Sequence, residues 1–343
     1  MESRKYYRIL SLDGGGIRGL LTCRLLEKLE TYSPGFISKF DLFAGTSTGG
    51  ILALGLAAGF SPGEMARIYV EKGDRIFAKG FWDHLGDLDR FIDSDYDNKA
   101  LKQALEDQFG KDRTLDQLPR NVLISSFCLD SGEGSEKQRG VRSWKAKFFQ
   151  NFLSDESDCK QKVVDVALRT SAAPTYFPLY DNFADGGLVA NNPSMCALAQ
   201  AVDCNTGKQS LENIVMLSVG TGATPKWLDG GNAKWGYVQW APNLISIMMD
   251  GVSGVADFQC RQLLNNNEVE RYKRVNVNFP EMIGLDDVRK ETIGYLNGQQ
   301  NYRKKDGREE KAWPSLFESA VKDTQLDLWL DKYFTSAEPA VRM

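Results

Sequence analysis

Residues 41–50 read Asp-Leu-Phe-Ala-Gly-Thr-Ser-Thr-Gly-Gly and contain the pattern Gly45-x-Ser47-x-Gly49. The apolar residues before Gly45 are typical of a buried strand, and residues 51–58 are typical of a buried helix. We therefore expect Ser47 on a strand-to-helix turn, where small neighbours expose its hydroxyl and the N–H groups of the helix start favour developing negative charge. The stretch predicts a nucleophilic serine.

A second glycine-rich turn lies near the N-terminus. A strand pattern over residues 6–12 ends in Asp-Gly-Gly-Gly-Ile-Arg-Gly, and a helical pattern follows. Dinucleotide binding would require an acidic residue at the end of the next strand, which instead ends in Ala-Gly-Thr-Ser, and the Gly-Lys-Ser/Thr of a Walker loop is missing. We interpret Gly14–Gly16 as an oxyanion-binding turn with the positive charge of Arg18 nearby. The alternative is a tight turn that packs closely on its helix.

A nucleophilic serine needs a base, and the sequence has only one histidine, His84. This residue lies in the stretch 77–98, which has no clear period and which we interpret as a long loop. A single histidine in a loop is more often a surface residue. Either the base is a carboxylate or a lysine, or Ser47 is not catalytic.

Asp185 is the strongest candidate for the base. It follows an apolar strand segment, and Gly186 and Gly187 leave room around its carboxylate. The alternative is an ordinary Asp-Gly-Gly hairpin turn. Since an unperturbed carboxylate has a pKa near ~4, Asp185 can accept the serine proton only in a desolvated site that stabilises the oxyanion as it forms. The N-terminal glycine turn would meet that requirement.

The composition is that of an ordinary soluble globular protein. A chain of 343 residues with 42% apolar and 26% charged residues can form one large α/β domain or two smaller ones. The net charge of −4 argues against a nucleic-acid polymer as partner. Six cysteines lie far apart without a C-x-x-C pair, which argues against a zinc site or a disulfide framework. Without a signal-like N-terminal segment, we expect a reducing, cytoplasmic location.

One uncharged stretch, residues 42–63, has the length of a membrane span. It contains six glycines and one proline, however, and it divides naturally into a strand, a turn and a helix. We therefore interpret it as a buried strand-turn-helix unit.

Strands alternate with helices along the chain. Strand patterns cover residues 6–12, 42–44, 121–129, 144–150, 180–184, 213–219 and 272–278, and helical patterns cover 20–29, 51–58, 62–76, 98–109, 162–169, 193–202, 241–264 and 314–333. This alternation predicts a three-layer α/β/α fold around a central, mostly parallel sheet. We expect a single domain over residues 1–343, in which residues 7–222 contain the motifs and residues 223–343 form a helical extension packed on them.

The ordered motifs resemble those of the patatin-like phospholipases. Asp-Gly-Gly-Gly-Ile-Arg-Gly, Gly-Thr-Ser-Thr-Gly and Asp-Gly-Gly occur in the order and spacing of that family, as do Ser-Ala-Ala-Pro-Thr-Tyr-Phe-Pro at residues 171–178 and Asn-Asn-Pro at residues 191–193. The resemblance covers residues 7–222 and is loose beyond about residue 223. Five motifs in order make it far more specific than any one of them.

The resemblance implies a lipid acyl hydrolase with a serine-aspartate dyad, no histidine, no metal and no cofactor. Ser47 attacks the ester, and Asp185 accepts its proton and later activates water. The loop formed by Gly14, Gly15 and Gly16 supplies the oxyanion hole and Arg18 supports it, while Gly45, Gly49, Gly186 and Gly187 shape the two turns. Some bacterial family members are nucleotide-activated effectors of antiphage defence, so a small-molecule activator stays open. The alternatives are a general esterase or thioesterase, a non-catalytic regulatory protein and, more distantly, a dehydrogenase.

A lipid substrate implies peripheral contact with a membrane. Candidates for a membrane-facing rim are aromatic, namely Phe77, Phe81, Trp82, Trp227, Trp235 and Trp240. The alternative, that most of them pack inside the protein, is favoured by the usual distribution of aromatic residues. We interpret the mixed-charge residues 303–311 as a solvated loop. Head-group preference and oligomeric state have no signal in the sequence.

Overall fold

The structure is a computed structural model and describes residues 6–77, 98–132, 142–153, 158–174, 176–224, 228, 236–303, 307–310, 313–323 and 325–334. Its strands are β1 (Tyr7–Leu12), β2 (Leu42–Thr46), β3 (Asn121–Cys128), β4 (Lys145–Gln150), β5 (Phe183–Asp185), β6 (Ile214–Val219), β7 (Tyr272–Val275), β8 (Tyr302–Arg303) and β9 (Glu309–Glu310). Its α-helices are α1 (Gly19–Tyr32), α2 (Thr48–Ala57), α3 (Pro62–Phe77), α4 (Lys99–Phe109), α5 (Val163–Thr170), α6 (Gly187–Ala190), α7 (Ser194–Val202), α8 (Tyr237–Leu264), α9 (Lys290–Leu296), α10 (Trp313–Asp323) and α11 (Leu326–Phe334).

In the described ranges, the central sheet has seven strands. Six follow the order β4-β3-β2-β1-β6-β7, and β5 pairs with β3 beside that path. The strands β1, β2, β3, β6 and β7 are parallel, whereas β4 and β5 run antiparallel to β3. The predicted three-layer fold with a mostly parallel sheet is therefore confirmed, and β3 and β4, which are consecutive in the chain, pair antiparallel.

The sheet separates two apolar cores because successive side chains of a strand point to opposite faces. In β1, Leu10 and Leu12 pack with the larger group of helices, which includes α1 and α2. Ile9 packs on the other face, against α7 and α8. Helix α2 is apolar on all sides, and all of its residues are buried. Residues 42–57 of the uncharged stretch thus form an interior strand-turn-helix, and the stretch continues through a partly exposed turn into the start of α3.

Sequence signals at helix starts predict the structure well at α3. The amide N–H of Glu64 donates to Oγ of Ser61 at 3.2 Å, and the amide N–H of Ser61 donates to Oε2 of Glu64 at 2.8 Å. This reciprocal pair is the capping box that the Ser-Pro-Gly-Glu sequence predicts. None of the helices in the described ranges is both long and apolar enough to cross a membrane.

The structure differs from the sequence prediction mainly beyond residue 222. The predicted helix over residues 314–333 is two helices, α10 and α11, because Gln325 between them has a left-handed backbone with φ 52°. Strand β7 pairs with β6, so this part of the chain also extends the central sheet and is more than a helical extension. The segment interpreted as a solvated loop forms the short hairpin β8-β9, whose residues 307–309 are exposed.

Candidate active site

The two glycine-rich turns lie side by side at one edge of the sheet. Strands β1 and β2 are parallel neighbours with Leu12 opposite Gly45, so both chains leave the sheet at the same edge. A Cβ atom placed on Gly14 would lie 3.2 Å from Cβ of Ser47. The parallel pairing therefore brings the predicted oxyanion turn into contact with the predicted nucleophile.

Strand β3 brings Asp185 to Ser47. Its residue Ser125 lies opposite Thr46, the last residue of β2, and its next residue, Ser126, lies opposite Asp185, the last residue of β5. Strands β2 and β5 thus meet end to end along one side of β3. Ser47 and Asp185, which are far apart in the sequence, therefore become neighbours, because Thr46 and Asp185 pair with consecutive residues of β3.

Ser47 has a strained backbone, with φ 54° and ψ −127° between β2 and α2. A side chain at Gly45 would place Cβ 2.2 Å from the carbonyl oxygen of Gly49, and a side chain at Gly49 would place Cβ 2.4 Å from that of Leu12. The sharp turn therefore requires both glycines. The amide N–H of Ser47 donates to Oγ1 of Thr170 at 2.9 Å, which helps hold the strained residue in place.

Asp185 is buried and lines the same cavity as Ser47, and its carboxylate accepts a hydrogen bond from the amide N–H of Gly187 at 2.6 Å. Burial raises the pKa of Asp185 to about 6, against the lowering effects of the Ser47 hydroxyl and of the Gly187 amide. A carboxylate with this pKa is a better base than an exposed one and is still mainly ionised at neutral pH. Gly186 packs with its Cα against β3, where a Cβ would lie 2.4 Å from the carbonyl oxygen of Ser125.

The N-terminal glycine turn is held by contacts on several sides. The amide N–H of Gly14 donates to the carbonyl of Asn191 at 3.0 Å. A Cβ on Gly15 would lie 2.2 Å from Oγ1 of Thr221. Gly16 has a positive φ of 57°, and a Cβ on it would lie 2.2 Å from the carbonyl oxygen of Leu285. No side chain other than hydrogen fits at either position.

Two amide groups of this turn are available to a ligand. Among the described residues, the N–H groups of Gly15 and Gly16 have no hydrogen-bond acceptor, and both glycines line the same cavity as Ser47. Arg18 is half-buried and donates from Nε to the carbonyl of Gly15 at 3.3 Å. Burial lowers the pKa of Arg18, against the opposing effect of nearby acidic groups such as Asp250. The arginine thus stabilises the turn through this hydrogen bond to Gly15.

The sequence profile of the patatin-like phospholipase family matches residues 10–198. This chain belongs to the patatin-like phospholipase family. A cGAMP-activated phospholipase of Pseudomonas aeruginosa is 36% identical over 279 residues, covering 76% of this chain and 76% of the relative. Protein teg of Priestia megaterium is 34% identical over 239 residues, covering 70% of each chain. A cGAMP-activated phospholipase of Vibrio cholerae is 33% identical over 311 residues, covering 81% of this chain and 84% of the relative.

The patatin-like site also depends on an ion pair that no motif indicates. Arg274 on β7 donates to both carboxylate oxygens of Asp13, at 3.2 Å from Nη1 to Oδ1, and donates to Oγ of Ser218 at 2.7 Å. Burial raises the pKa of Asp13, and the charge of Arg274 opposes that rise. The pair attaches the start of the glycine turn to β7, the outermost strand of the sheet on that side. Only the pairing of β6 with β7, where Ser218 lies opposite Arg274, could have indicated it.

The patatin-like cavity beside Ser47 is narrow and mainly apolar. Its volume is about 70 Å³. The lining includes the apolar residues Ile51, Ile76, Leu101, Phe177, Leu188, Met249 and Leu285. Such a wall suits a hydrocarbon chain, but a long acyl chain would need the wall to move apart.

Several predicted residues lie outside the described part of this patatin-like chain. These are His84, Phe81, Trp82, Trp227 and Trp235, together with the side chain of Phe77. Trp240, on α8, is 44% exposed. The structure therefore places the candidate dyad and the glycine turn together, whereas most of the predicted aromatic rim stays a prediction.

Proposed function

We propose that this chain is a lipid acyl hydrolase of the phospholipase A type that acts through a dyad of Ser47 and Asp185. The observation that supports it best is geometric: the buried carboxylate of Asp185 lines the same cavity as Ser47, because β2 and β5 end beside each other on β3. A buried base next to a strained serine is what an activated nucleophile requires.

In the first half of the reaction, Oγ of Ser47 attacks the ester carbonyl carbon while its proton passes to Asp185. The carbonyl oxygen becomes an oxyanion, which the amide N–H groups of Gly15 and Gly16 bind. The intermediate collapses by breaking the ester C–O bond, and the leaving alcohol takes the proton from Asp185. The products are an acyl-serine and a lysolipid.

In the second half, a water molecule loses a proton to Asp185 and attacks the acyl-serine carbonyl. The same N–H groups of Gly15 and Gly16 bind the second oxyanion. Its collapse releases the fatty acid and returns the proton from Asp185 to Oγ of Ser47. Every proton is thus handled by the one carboxylate, which has no histidine among the described residues near it.

The small size of the cavity beside Ser47 is consistent with an enzyme that needs a small-molecule activator. The relatives from Pseudomonas aeruginosa and Vibrio cholerae are named cGAMP-activated phospholipases. In this chain the cavity beside Ser47 has a volume of only about 70 Å³, well below the several hundred that a lipid-sized ligand occupies. We therefore propose that a cyclic dinucleotide or a related small molecule widens the cavity.

The test is fatty-acid release from mixed phospholipid vesicles by the wild type and by Ser47→Ala, each with and without cGAMP. Release that occurs in the wild type and disappears in Ser47→Ala is the expected result. A rate in Ser47→Ala equal to that of the wild type would contradict the mechanism. Labelling of Ser47 by a fluorophosphonate distinguishes an enzyme that lacks its activator from a non-catalytic protein, and dependence on acyl-chain length distinguishes a lipase from a general esterase or thioesterase.

A further inference from the structure

Helix α8 exposes a row of large apolar side chains on its outer side. We define the α8 outer face as Leu244, Ile247, Met248, Val255 and Phe258, together with Gly251 and Gly254 between them. Val255 is 56% exposed and Phe258 is 62% exposed. A Cβ placed on either glycine would meet nothing within 4 Å, so the middle of the face is open.

The opposite side of α8 packs on the protein. Ala256, Cys260 and Leu264 are buried, and Ser253 contacts Asn191 through a hydrogen bond of 3.2 Å. At about 100° per residue, these inward positions centre about 180° from the α8 outer face. The helix is therefore apolar both toward the protein and away from it, which an ordinary surface helix is not.

The dimensions of the α8 outer face do not suit a stable dimer. From Leu244 to Phe258 the helix rises about 21 Å, and a strip about 10 Å wide has an area of about 200 Å². A standard protein interface buries about 800 Å² on each partner. An apolar strip of this size suits instead a helix that lies on a lipid surface with one face in the boundary between head groups and acyl chains.

Charge and position indicate which part of the lipid would be contacted. The segment from Leu244 to Phe258 contains no lysine or arginine, and its charged residues are Asp250 and Asp257. Attraction to anionic head groups therefore contributes little. The same helix borders the candidate active site through Met249, which lines the cavity beside Ser47.

We propose that the α8 outer face is the membrane-docking surface of this protein and that it binds the apolar boundary of a phospholipid bilayer. This proposal rests on the proposed function, because a bilayer is the source of the lipid substrate. Docking through α8 places the helix that borders the catalytic cavity in the layer from which an acyl chain leaves the membrane.

The test measures binding separately from catalysis. Proteins with Ser47→Ala are sedimented with phosphatidylcholine vesicles, and with vesicles containing phosphatidylglycerol, at about 0.15 M and about 1 M NaCl. We expect Val255→Glu combined with Phe258→Glu to lower the partition coefficient more than about tenfold, and Val255→Trp to raise it. The matched control for each single change is Leu328→Glu, which adds one negative charge, half of what the double variant adds, at a position that is 60% exposed on α11. It should leave binding unchanged, and salt should have little effect.

Three results would overturn the proposal: no binding by the protein with an intact α8, equal binding by the double variant, or binding that high salt abolishes. A double variant that splits a dimer and still binds vesicles would assign the face to a second copy of the chain. Turnover of a short, water-soluble ester by proteins with intact Ser47 tests the dyad independently. If that turnover is absent both with and without cGAMP, and a fluorophosphonate does not label Ser47, the proposed function fails, while the sedimentation result still decides the docking surface.

Discussion

The two turns at the active edge of the sheet are built in opposite ways. The elbow after β2 places its strain in Ser47, a residue with a side chain, and holds it with Gly45, Gly49 and Thr170. The turn after β1 avoids strain by using glycines where a side chain would collide. Its contacts come from much later in the chain, namely Thr221, Arg274 and Leu285.

The nucleophile and the oxyanion site are therefore supported by different parts of the chain. The elbow and Asp185 depend on residues before about 190, the part matched by the family profile. The glycine turn depends as well on β7 and on the segment around Leu285. Because both parts complete one site, they support our proposal of a single domain. The comparison predicts that substitutions at the elbow or at Asp185 abolish turnover, whereas substitutions that disturb the glycine turn only lower it.

The largest effect is expected for Asp185→Asn. An amide cannot accept the serine proton, so turnover of lipid or soluble ester should fall by about 10³-fold or more. Fatty-acid release measures it, with near-native circular dichroism as the control for folding. A variant that retains more than a tenth of the wild-type rate would show that another group is the base.

Asp185 also predicts opposite effects of pH on activity and stability. Since its pKa in the folded protein is about 6, activity should rise through pH 6 and fall about tenfold per unit below it. Between about pH 4 and pH 6 the folded state retains a proton that the unfolded state has lost, so stability decreases as pH rises through this window. Asp185→Asn should therefore be more stable than the wild type at pH 8, by up to about 3 kcal/mol, and should lose that advantage below about pH 4. Urea unfolding at the two pH values measures the difference.

On the glycine side, Gly16→Ala should lower turnover by about 10²-fold to 10³-fold, the usual cost of losing an oxyanion donor. Its Cβ would lie 2.2 Å from the carbonyl oxygen of Leu285, so the turn must move. Gly35→Ala is the matched control, because Gly35 also has a positive φ, 75°, but has open space around it and lies after α1. Lost turnover in Gly16→Ala with near-native circular dichroism, and retained turnover in Gly35→Ala, would attribute the effect to the oxyanion site. Equal turnover in the two variants would contradict that role.

A smaller effect on activity is expected for Arg274→Met. This change leaves the buried carboxylate of Asp13 without its partner, which should cost about 3 kcal/mol of stability and lower turnover by about tenfold as the glycine turn shifts. Adding Asp13→Asn removes the buried charge and should restore most of the stability. Thermal unfolding and ester turnover of the single and double variants measure the two effects. Unchanged turnover in Arg274→Met would mean that the glycine turn holds its position without β7.

The smallest effect is expected for His84→Ala, which should stay within about twofold of the wild-type rate, because the dyad needs no histidine. Fatty-acid release again provides the measurement. A loss as deep as that of Ser47→Ala in a folded protein would restore the histidine as the base and remove Asp185 from that role.

Local patterns predicted most of this fold, because each strand-turn-helix unit is determined by residues close in sequence. The positions of the two turns, the strand before Asp185 and the capping box at Ser61 all follow from such patterns. The sequence did not indicate helix α9, the break at Gln325 or the Asp13–Arg274 pair. The pair joins segments far apart in the chain, which periodicity and turn chemistry do not describe. Helix α9 has only seven residues, too few for a clear period, and the break lies in the left-handed backbone of Gln325, where no glycine or proline marks it.

The end-to-end meeting of β2 and β5 on β3 has a consequence for how members of this family can diverge. The distance between the nucleophile and its base is fixed by the pairing of β2 and β5 with consecutive residues of β3, Ser125 and Ser126. Insertions in the connections between these strands can therefore change the chain length freely without moving the dyad. A single residue inserted within β3 would instead displace one partner by about 3.3 Å and turn its side chain to the other face of the sheet.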